Sequence, residues 1–188
     1  TGDGVLPDGL LEKDVTMAIA QKLSEDLTML GYTTIITHDG VNPPPDAVYD
    51  SIFNAYERAA YANSITMDYF ISIHVNSSQN PAAEGSRIYY YDSSNKTKKI
   101  GGDVAEQLGK AIEKNLPDDP DPMLYDQSLD PYNAFILCNQ VNYPSSLVEV
   151  GFCTNPNDAE KMINDAWQEK FAQSLADGID AYFTEYAE

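Results

Sequence analysis

Cysteine and histidine are scarce in this chain of 188 residues, which has two of each. The two cysteines, Cys138 and Cys153, do not form the C-x-x-C spacing of thiolate zinc sites, so the sequence does not favour such a site. Both lie in apolar surroundings. We therefore interpret them as small buried hydrophobic side chains, with a disulfide between them as the alternative.

Basic residues are also few, with 11 lysines and arginines against 30 acidic residues, for a formal net charge of −19. Such a surface repels the phosphates of nucleic acids and does not suit anionic membranes. No apolar run approaches the length of a membrane span. We therefore expect no nucleic-acid partner and no membrane insertion. The apolar fraction of 43% is typical of a globular domain with a full core.

Helical and strand-like patterns alternate along the chain, which predicts an α/β fold. We expect a three-layer sandwich, with a mostly parallel central sheet and helices on both faces. An acidic, proline-rich loop is predicted at residues 117–131. The helices are predicted at residues 12–30, 47–63, 99–116, 156–164 and 166–182, and the strands at residues 32–37, 70–74, 86–91, 134–138 and 146–150.

A histidine closes one of these predicted strands. The run Tyr-Phe-Ile-Ser-Ile-His-Val-Asn at residues 69–76 has the apolar content of a strand that is covered on both faces, and it ends at His74. In open α/β sheets, ligands bind at the carboxyl ends of the strands. His74 is therefore a candidate site residue, although a core histidine bonded to a neighbouring carbonyl gives the same pattern.

Two glutamates lie in positions that suit the same site. Glu149 is an acid inside the apolar run Leu-Val-Glu-Val-Gly-Phe at residues 147–152, where burial without a partner would cost several kcal/mol. Glu12 begins a predicted helix, where the helix dipole alone could also explain an acidic residue. Together with His74, these residues supply metal ligands and a general base, as a zinc hydrolase requires.

The order of several short motifs resembles the zinc-dependent N-acetylmuramoyl-L-alanine amidases of the Amidase_3 type. These enzymes cut peptide stems from peptidoglycan. The matching pieces cover almost the whole chain and are Glu12-Lys13-Asp14, Arg58 with Ala62-Asn63, residues 70–76, Gly85 with Tyr89-Tyr90, and residues 147–152 with Asn155.

The resemblance implies a role for each candidate. Glu12 and His74 correspond to zinc ligands and Glu149 to the catalytic glutamate. The ion would be Zn²⁺, the reaction would be hydrolysis of the amide between N-acetylmuramic acid and L-alanine by a zinc-activated water, and the substrate would be peptidoglycan. The resemblance also implies a secreted bacterial protein that acts outside the cell or in the cell wall.

One motif of the family is missing from the sequence. The family has its first zinc ligand, a histidine, in a Gly-His-Gly-Gly segment that ends the first strand, and this chain has no such segment. We therefore expect residues 1–188 to form a single amidase catalytic domain that lacks this strand and its ligand. The favoured explanation is that the missing strand and histidine belong to a segment upstream of Thr1. One alternative is a natural pseudoenzyme that binds cell wall without cutting it. The other is that His38 replaces the missing histidine as zinc ligand.

A zinc carboxypeptidase is a further alternative, since it would share the metal chemistry. It would need a basic residue to hold the terminal carboxylate of its substrate. The candidates are Arg58 and Arg87, and the strand pattern places neither of them near the site.

Overall fold

The computed structural model describes residue 9, residues 11–43, residue 46, residues 54–92 and residues 101–186. A short 3₁₀ turn spans Gln127–Leu129. The helices of this part are α1 (Glu12–Met29), α2 (Ala55–Ser64), α3 (Gly101–Asn115), α4 (Ile136–Asn139), α5 (Pro156–Met162) and α6 (Asp165–Tyr186), and the strands are β1 (Phe70–Asn76), β2 (Arg87–Tyr90), β3 (Met123–Asp126) and β4 (Ser145–Phe152).

The described strands form one mixed sheet in the order β1-β4-β2-β3. β1 runs parallel to β4 and β2 runs parallel to β3, whereas β2 and β4 are antiparallel. Every residue of β4 is buried, as expected for a strand that is paired on both edges. The α/β class is confirmed, and the parallel pairings outnumber the antiparallel one.

Helices cover both faces of this sheet. On one face α1, α3 and α6 pack against Val148 and Ile88 in the larger core cluster. On the other face α2 and α4 pack around Phe70 through Ala59, Leu137 and Val141. The second cluster is smaller, so the carboxyl half of β1 and β4 on that face has less helical cover.

In helix α1, the spacing of the apolar residues along the sequence determines which side chains are buried. Its buried residues recur every four positions, so they lie on one stripe that faces the sheet. The helix ends before Gly31, whose φ of 96° suits glycine far better than a residue with a side chain. The buried stripe consists of Val15, Ile19, Leu23 and Leu27.

Four predicted elements differ in the structure. Residues 32–37 belong to no strand ladder among the described residues. The predicted strand at 134–138 is instead the single helical turn α4, and the predicted loop at 117–131 contains β3. The predicted helix at 47–63 begins at Ala55 in the described part, and residues 47–53 lie outside the described residues.

The apolar run at residues 70–74 predicts an interior strand of the sheet, but β1 is the terminal strand of the described sheet. A groove of about 560 Å³ runs between the outer edge of β1 and residues 32–38. Its apolar walls include Leu27, Ile71, Ile73 and Phe183. We call it the edge groove.

Two sequence-based expectations about single features can be compared directly. Neither Cys138 nor Cys153 forms a disulfide, and Cys138 is buried as predicted, whereas Cys153 is only partly buried. Within the described residues, no helix combines the length and the apolar character needed to cross a bilayer.

Candidate active site

His74, Glu149 and Arg87 form a row across the sheet. The parallel register places His74 opposite Glu149, and the antiparallel register places Arg87 opposite Glu149 on the other side. Residues directly opposite each other on paired strands project from the same face. The three side chains therefore share one face near the carboxyl ends of β1 and β4, and we call them the central row.

Glu12 joins this row from α1. One carboxylate oxygen, Oε1, lies 3.2 Å from Nδ1 of His74 and accepts a hydrogen bond of 3.2 Å from the backbone N–H of Val75. The second ring nitrogen of His74, Nε2, lies 3.0 Å from Oγ of Ser72. The predicted neighbourhood of Glu12 and His74 is therefore present, and both ring nitrogens of His74 have protein partners.

The pKa of Glu12 reflects opposing effects. Burial acts to raise the pKa of this carboxyl, but the hydrogen bonds with His74 and with the Val75 amide outweigh it, so the net pKa is lowered. The dipole of α1 also favours an anion in its first turn. Glu12 is thus held as a carboxylate, the form in which it could bind a cation.

Glu149 has a different environment. Glu149 is only 9% exposed, and its Oε2 atom has no hydrogen-bond partner among the described residues. Burial raises the pKa of this carboxyl to about 7, with a further increase from the charge of Glu12 and an opposing decrease from His74. A carboxyl with such a pKa can both accept and donate a proton near neutral pH, as a general base and acid must.

The end of β4 is fixed by Asp158 of α5. This buried carboxylate accepts hydrogen bonds of 2.9 Å from the backbone N–H groups of Phe152 and Gly85. Asn155 caps the same helix by accepting from the N–H of Asn157 at 2.9 Å. Asp158 thereby ties β4 to the loop before β2, which keeps the strands that carry Glu149 and Arg87 in register.

His38 does not join the other candidates. It lines the edge groove, and its Nδ1 accepts a hydrogen bond of 3.1 Å from the N–H of Gly40. Burial lowers the pKa of His38, and the nearby charge of Arg58 lowers it further. It has the features of the turn histidine that is the simpler interpretation of its sequence position.

The fit of the site to a metal ion is only partial. Glu12 and His74 provide adjacent oxygen and nitrogen donors, which suit Zn²⁺. Within the described ranges, however, no three His, Cys, Asp or Glu side chains gather in a way that could hold a metal ion. A catalytic zinc site normally has three protein ligands. Neither His38 nor Glu149 completes such a set.

Two residues near the site were not predicted from the sequence. Arg87 was considered poorly placed, which is wrong, because the antiparallel register of β2 puts it beside Glu149. Asp158 was not singled out, although the run Asn155-Pro156-Asn157-Asp158 after a strand is a recognisable helix start with an acid in its first turn.

Known proteins share both the sequence and the architecture of this chain. Residues 1–181 match the Amidase_3 family, described as N-acetylmuramoyl-L-alanine amidase. The uncharacterized protein YqiI of Bacillus subtilis is 28% identical over 183 residues, which cover 96% of this chain and 78% of that protein. The N-acetylmuramoyl-L-alanine amidase LytC of the same organism is 29% identical, and the match covers 96% of this chain and 33% of LytC.

A solved structure supports the same relationship. The N-acetylmuramoyl-L-alanine amidase AmiC2 of Nostoc punctiforme superposes with a TM-score of 0.76 at 27% sequence identity. The superposition covers 95% of this chain and 87% of that structure. The similarity therefore extends through the whole α/β domain and includes the strands that carry the central row.

Proposed function

Because the chain belongs to the N-acetylmuramoyl-L-alanine amidase family, we propose that it hydrolyses the amide between N-acetylmuramic acid and L-alanine in peptidoglycan. Glu149 is the general base of this proposal, and Glu12 and His74 are zinc ligands. The observation that carries it is the buried Glu149 carboxyl, with a pKa of about 7, in register with His74. The protein would act outside the cell or in the cell wall, where peptidoglycan lies.

Glu149 performs the proton transfers in this proposal. Near neutral pH a substantial fraction of its carboxyl groups is ionised and can take a proton from the attacking water. The same group can then donate that proton to the nitrogen of the leaving L-alanine amine. The burial of the Glu149 side chain keeps water away from the carboxyl and so maintains its affinity for the proton.

Glu12 and His74 hold the metal in this proposal. Glu12 stays ionised because the Val75 amide and His74 stabilise its charge, and Ser72 contacts the ring of His74 from the other side. A zinc ion bound there would lower the pKa of a bound water toward about 7 and polarise the scissile carbonyl. A third protein ligand would have to come from outside the described residues.

The proposal is tested with Glu149→Gln in zinc-supplemented protein acting on purified peptidoglycan. Gln keeps the shape of the side chain but cannot take a proton, so we expect release of stem peptides to fall by at least ~100-fold. The matched control is Glu113→Gln on the exposed face of α3, which should retain wild-type activity. Near-normal release by Glu149→Gln would remove Glu149 from the mechanism.

A non-catalytic wall-binding protein on the same fold is the second candidate. It is favoured by the incomplete metal-ligand set among the described residues. Zinc content after dialysis, measured together with peptidoglycan pull-down, separates the two functions. Binding without retained zinc and without stem-peptide release supports the second candidate, whereas tightly held zinc that is lost in His38→Ala would identify His38 as the third ligand. The family match favours the amidase over a zinc carboxypeptidase.

A further inference from the structure

Arg87 brings a cation to the edge of the sheet where Glu149 lies. It begins β2, and because β2 runs antiparallel to β4, the start of β2 lies at the carboxyl end of β4. The guanidinium is held there by its own strand, since Nη1 donates to the carbonyl oxygens of Ser86 at 2.9 Å and Gly85 at 3.2 Å. It also lies over the ring of Phe152, 5.2 Å from the ring centroid.

These contacts orient Arg87 without neutralising it. Among the described residues, no carboxylate forms an ion pair with its guanidinium. Both of these hydrogen bonds use Nη1, whereas a guanidinium carries five N–H groups. Within the same part of the chain, Nε and Nη2 are therefore open to an external acceptor, and a fork of this kind matches the two oxygens of a carboxylate.

Glu149 is not an ion-pair partner of Arg87 among the described residues. The two residues are opposite each other on paired strands, yet Oε2 of Glu149 has no hydrogen-bond partner among the described residues. A cation that has no ion-pair partner in the described part of the chain is notable next to a catalytic carboxyl when the net charge is −19. Its natural partner is therefore an anionic group of the substrate.

We propose that Arg87 is a specificity-determining residue that binds a free carboxylate of the stem peptide. This inference rests on the proposed amidase function. In the central row, Glu149 lies between His74 and Arg87. The leaving nitrogen receives its proton from Glu149 and therefore lies close to it. The peptide that continues from this nitrogen can then extend away from His74 and pass over Arg87. The acidic residue that follows L-alanine in many stem peptides carries a carboxylate when free and an uncharged carboxamide when amidated.

The test compares two soluble muramyl dipeptides that differ only in this group. One is N-acetylmuramoyl-L-alanyl-D-glutamate with its γ-carboxyl capped as a methylamide, and the other is the D-isoglutamine analogue with the same γ-cap, so that only the first carries a carboxylate. Affinities are measured by NMR titration of the protein in a metal chelator, so that hydrolysis is not needed for the result. We expect the carboxylate form to bind at least about tenfold more tightly to wild type, as a charged hydrogen bond at a preorganised fork implies.

Substitutions of Arg87 then assign the preference. In Arg87→Gln the two dipeptides should bind with equal affinity, and Arg87→Lys should keep part of the preference because it keeps the charge but not the fork. Lys13→Gln is the matched control, because it removes an exposed cation next to Glu12 without touching the central row. The preference should survive this change.

Three results would overturn the proposal: equal affinities in wild type, a preference that persists in Arg87→Gln, or an equal loss of affinity for both dipeptides. The last would make Arg87 a structural support for the loop at Gly85 and Ser86. Failure of the amidase function has a different signature, because it would abolish stem-peptide release in zinc-supplemented protein while leaving the affinity ratio in the chelator unchanged.

Discussion

At the scale of single residues, the main feature is a carboxyl group placed where its charge is unfavourable. Glu149 is buried in the fully buried strand β4, and burial is the largest cause of its raised pKa. A purely structural position of this kind would be filled more favourably by an apolar residue. The instability that Glu149 introduces is therefore a property that can be measured apart from catalysis.

We predict that Glu149→Gln stabilises the metal-free protein at alkaline pH. The pKa of about 7 in the folded state lies above the ordinary glutamate pKa of 4.5. The proton that the folded state binds therefore contributes stability that is fully present below pH 4.5 and is lost as the pH rises through 7. Gln cannot ionise, so it avoids this loss, and the gain should reach up to about 3 kcal/mol above neutral pH.

Urea unfolding of both proteins in a chelator, from pH 5 to pH 8, checks this prediction. The free energies of unfolding should diverge as the pH rises. Glu113→Gln, at an exposed position on α3, controls for the removal of one negative charge from an acidic chain. Stability curves of wild type and Glu149→Gln that stay parallel over this range would show that the carboxyl is not held in a charge-excluding environment.

At the scale of elements, α3 and α6 approach each other closely at a glycine. A Cβ atom placed on Gly178 of α6 would lie 2.7 Å from Cα and 2.9 Å from the backbone N of Leu108 in α3. These are backbone atoms that cannot rotate away. The close crossing of the two helices therefore depends on the missing side chain.

We predict that Gly178→Ala destabilises the fold by about 2 kcal/mol, because the two helices must separate to admit the methyl group. Gly109→Ala in α3 is the matched control, since its Cβ would meet only the flexible end of Leu124, at 3.2 Å. That change should be nearly neutral, as the better helix propensity of alanine offsets the contact. Urea unfolding of the two variants measures the difference, and equal stabilities would contradict the predicted clash.

The helices and the central strand were the predictable part of the fold. The apolar residues of α1 and α6 recur at helical spacing, and β4 is an apolar run with turn signals on both sides. Residues 134–138 were misassigned because a short apolar run is compatible with either a strand or a buried helical turn. Residues 32–37 have strand propensity, but a strand also needs a partner, which local sequence does not reveal.

The site was predictable to a similar extent. Glu12, His74 and Glu149 were identified as candidates because each has an unusual position relative to its own element. Arg87 has an ordinary position in a short strand, and only the antiparallel pairing with β4 brings it next to Glu149. Strand direction and register depend on contacts between distant parts of the chain, so residues of this kind escape a reading of local patterns.

At the scale of the whole molecule, the strong negative charge and the sheet edge have opposite effects on how copies of the protein meet. The net charge of −19 makes molecules repel one another at low ionic strength. The N–H of Val75 on β1 is already engaged by Glu12, but the rest of this strand edge borders the edge groove. Unpaired strand edges are templates for pairing with other chains.

Because of the edge groove, we expect self-association of the protein to increase when salt is added. Added salt shortens the range of charge repulsion to about 3 Å at 1 M ionic strength, while backbone pairing and apolar contact persist. We predict that self-association, measured by sedimentation velocity, increases between 0.05 and 1 M NaCl, and that Ile71→Lys on the groove wall suppresses it. A protein that stays monomeric in high salt would have an edge that is protected in solution.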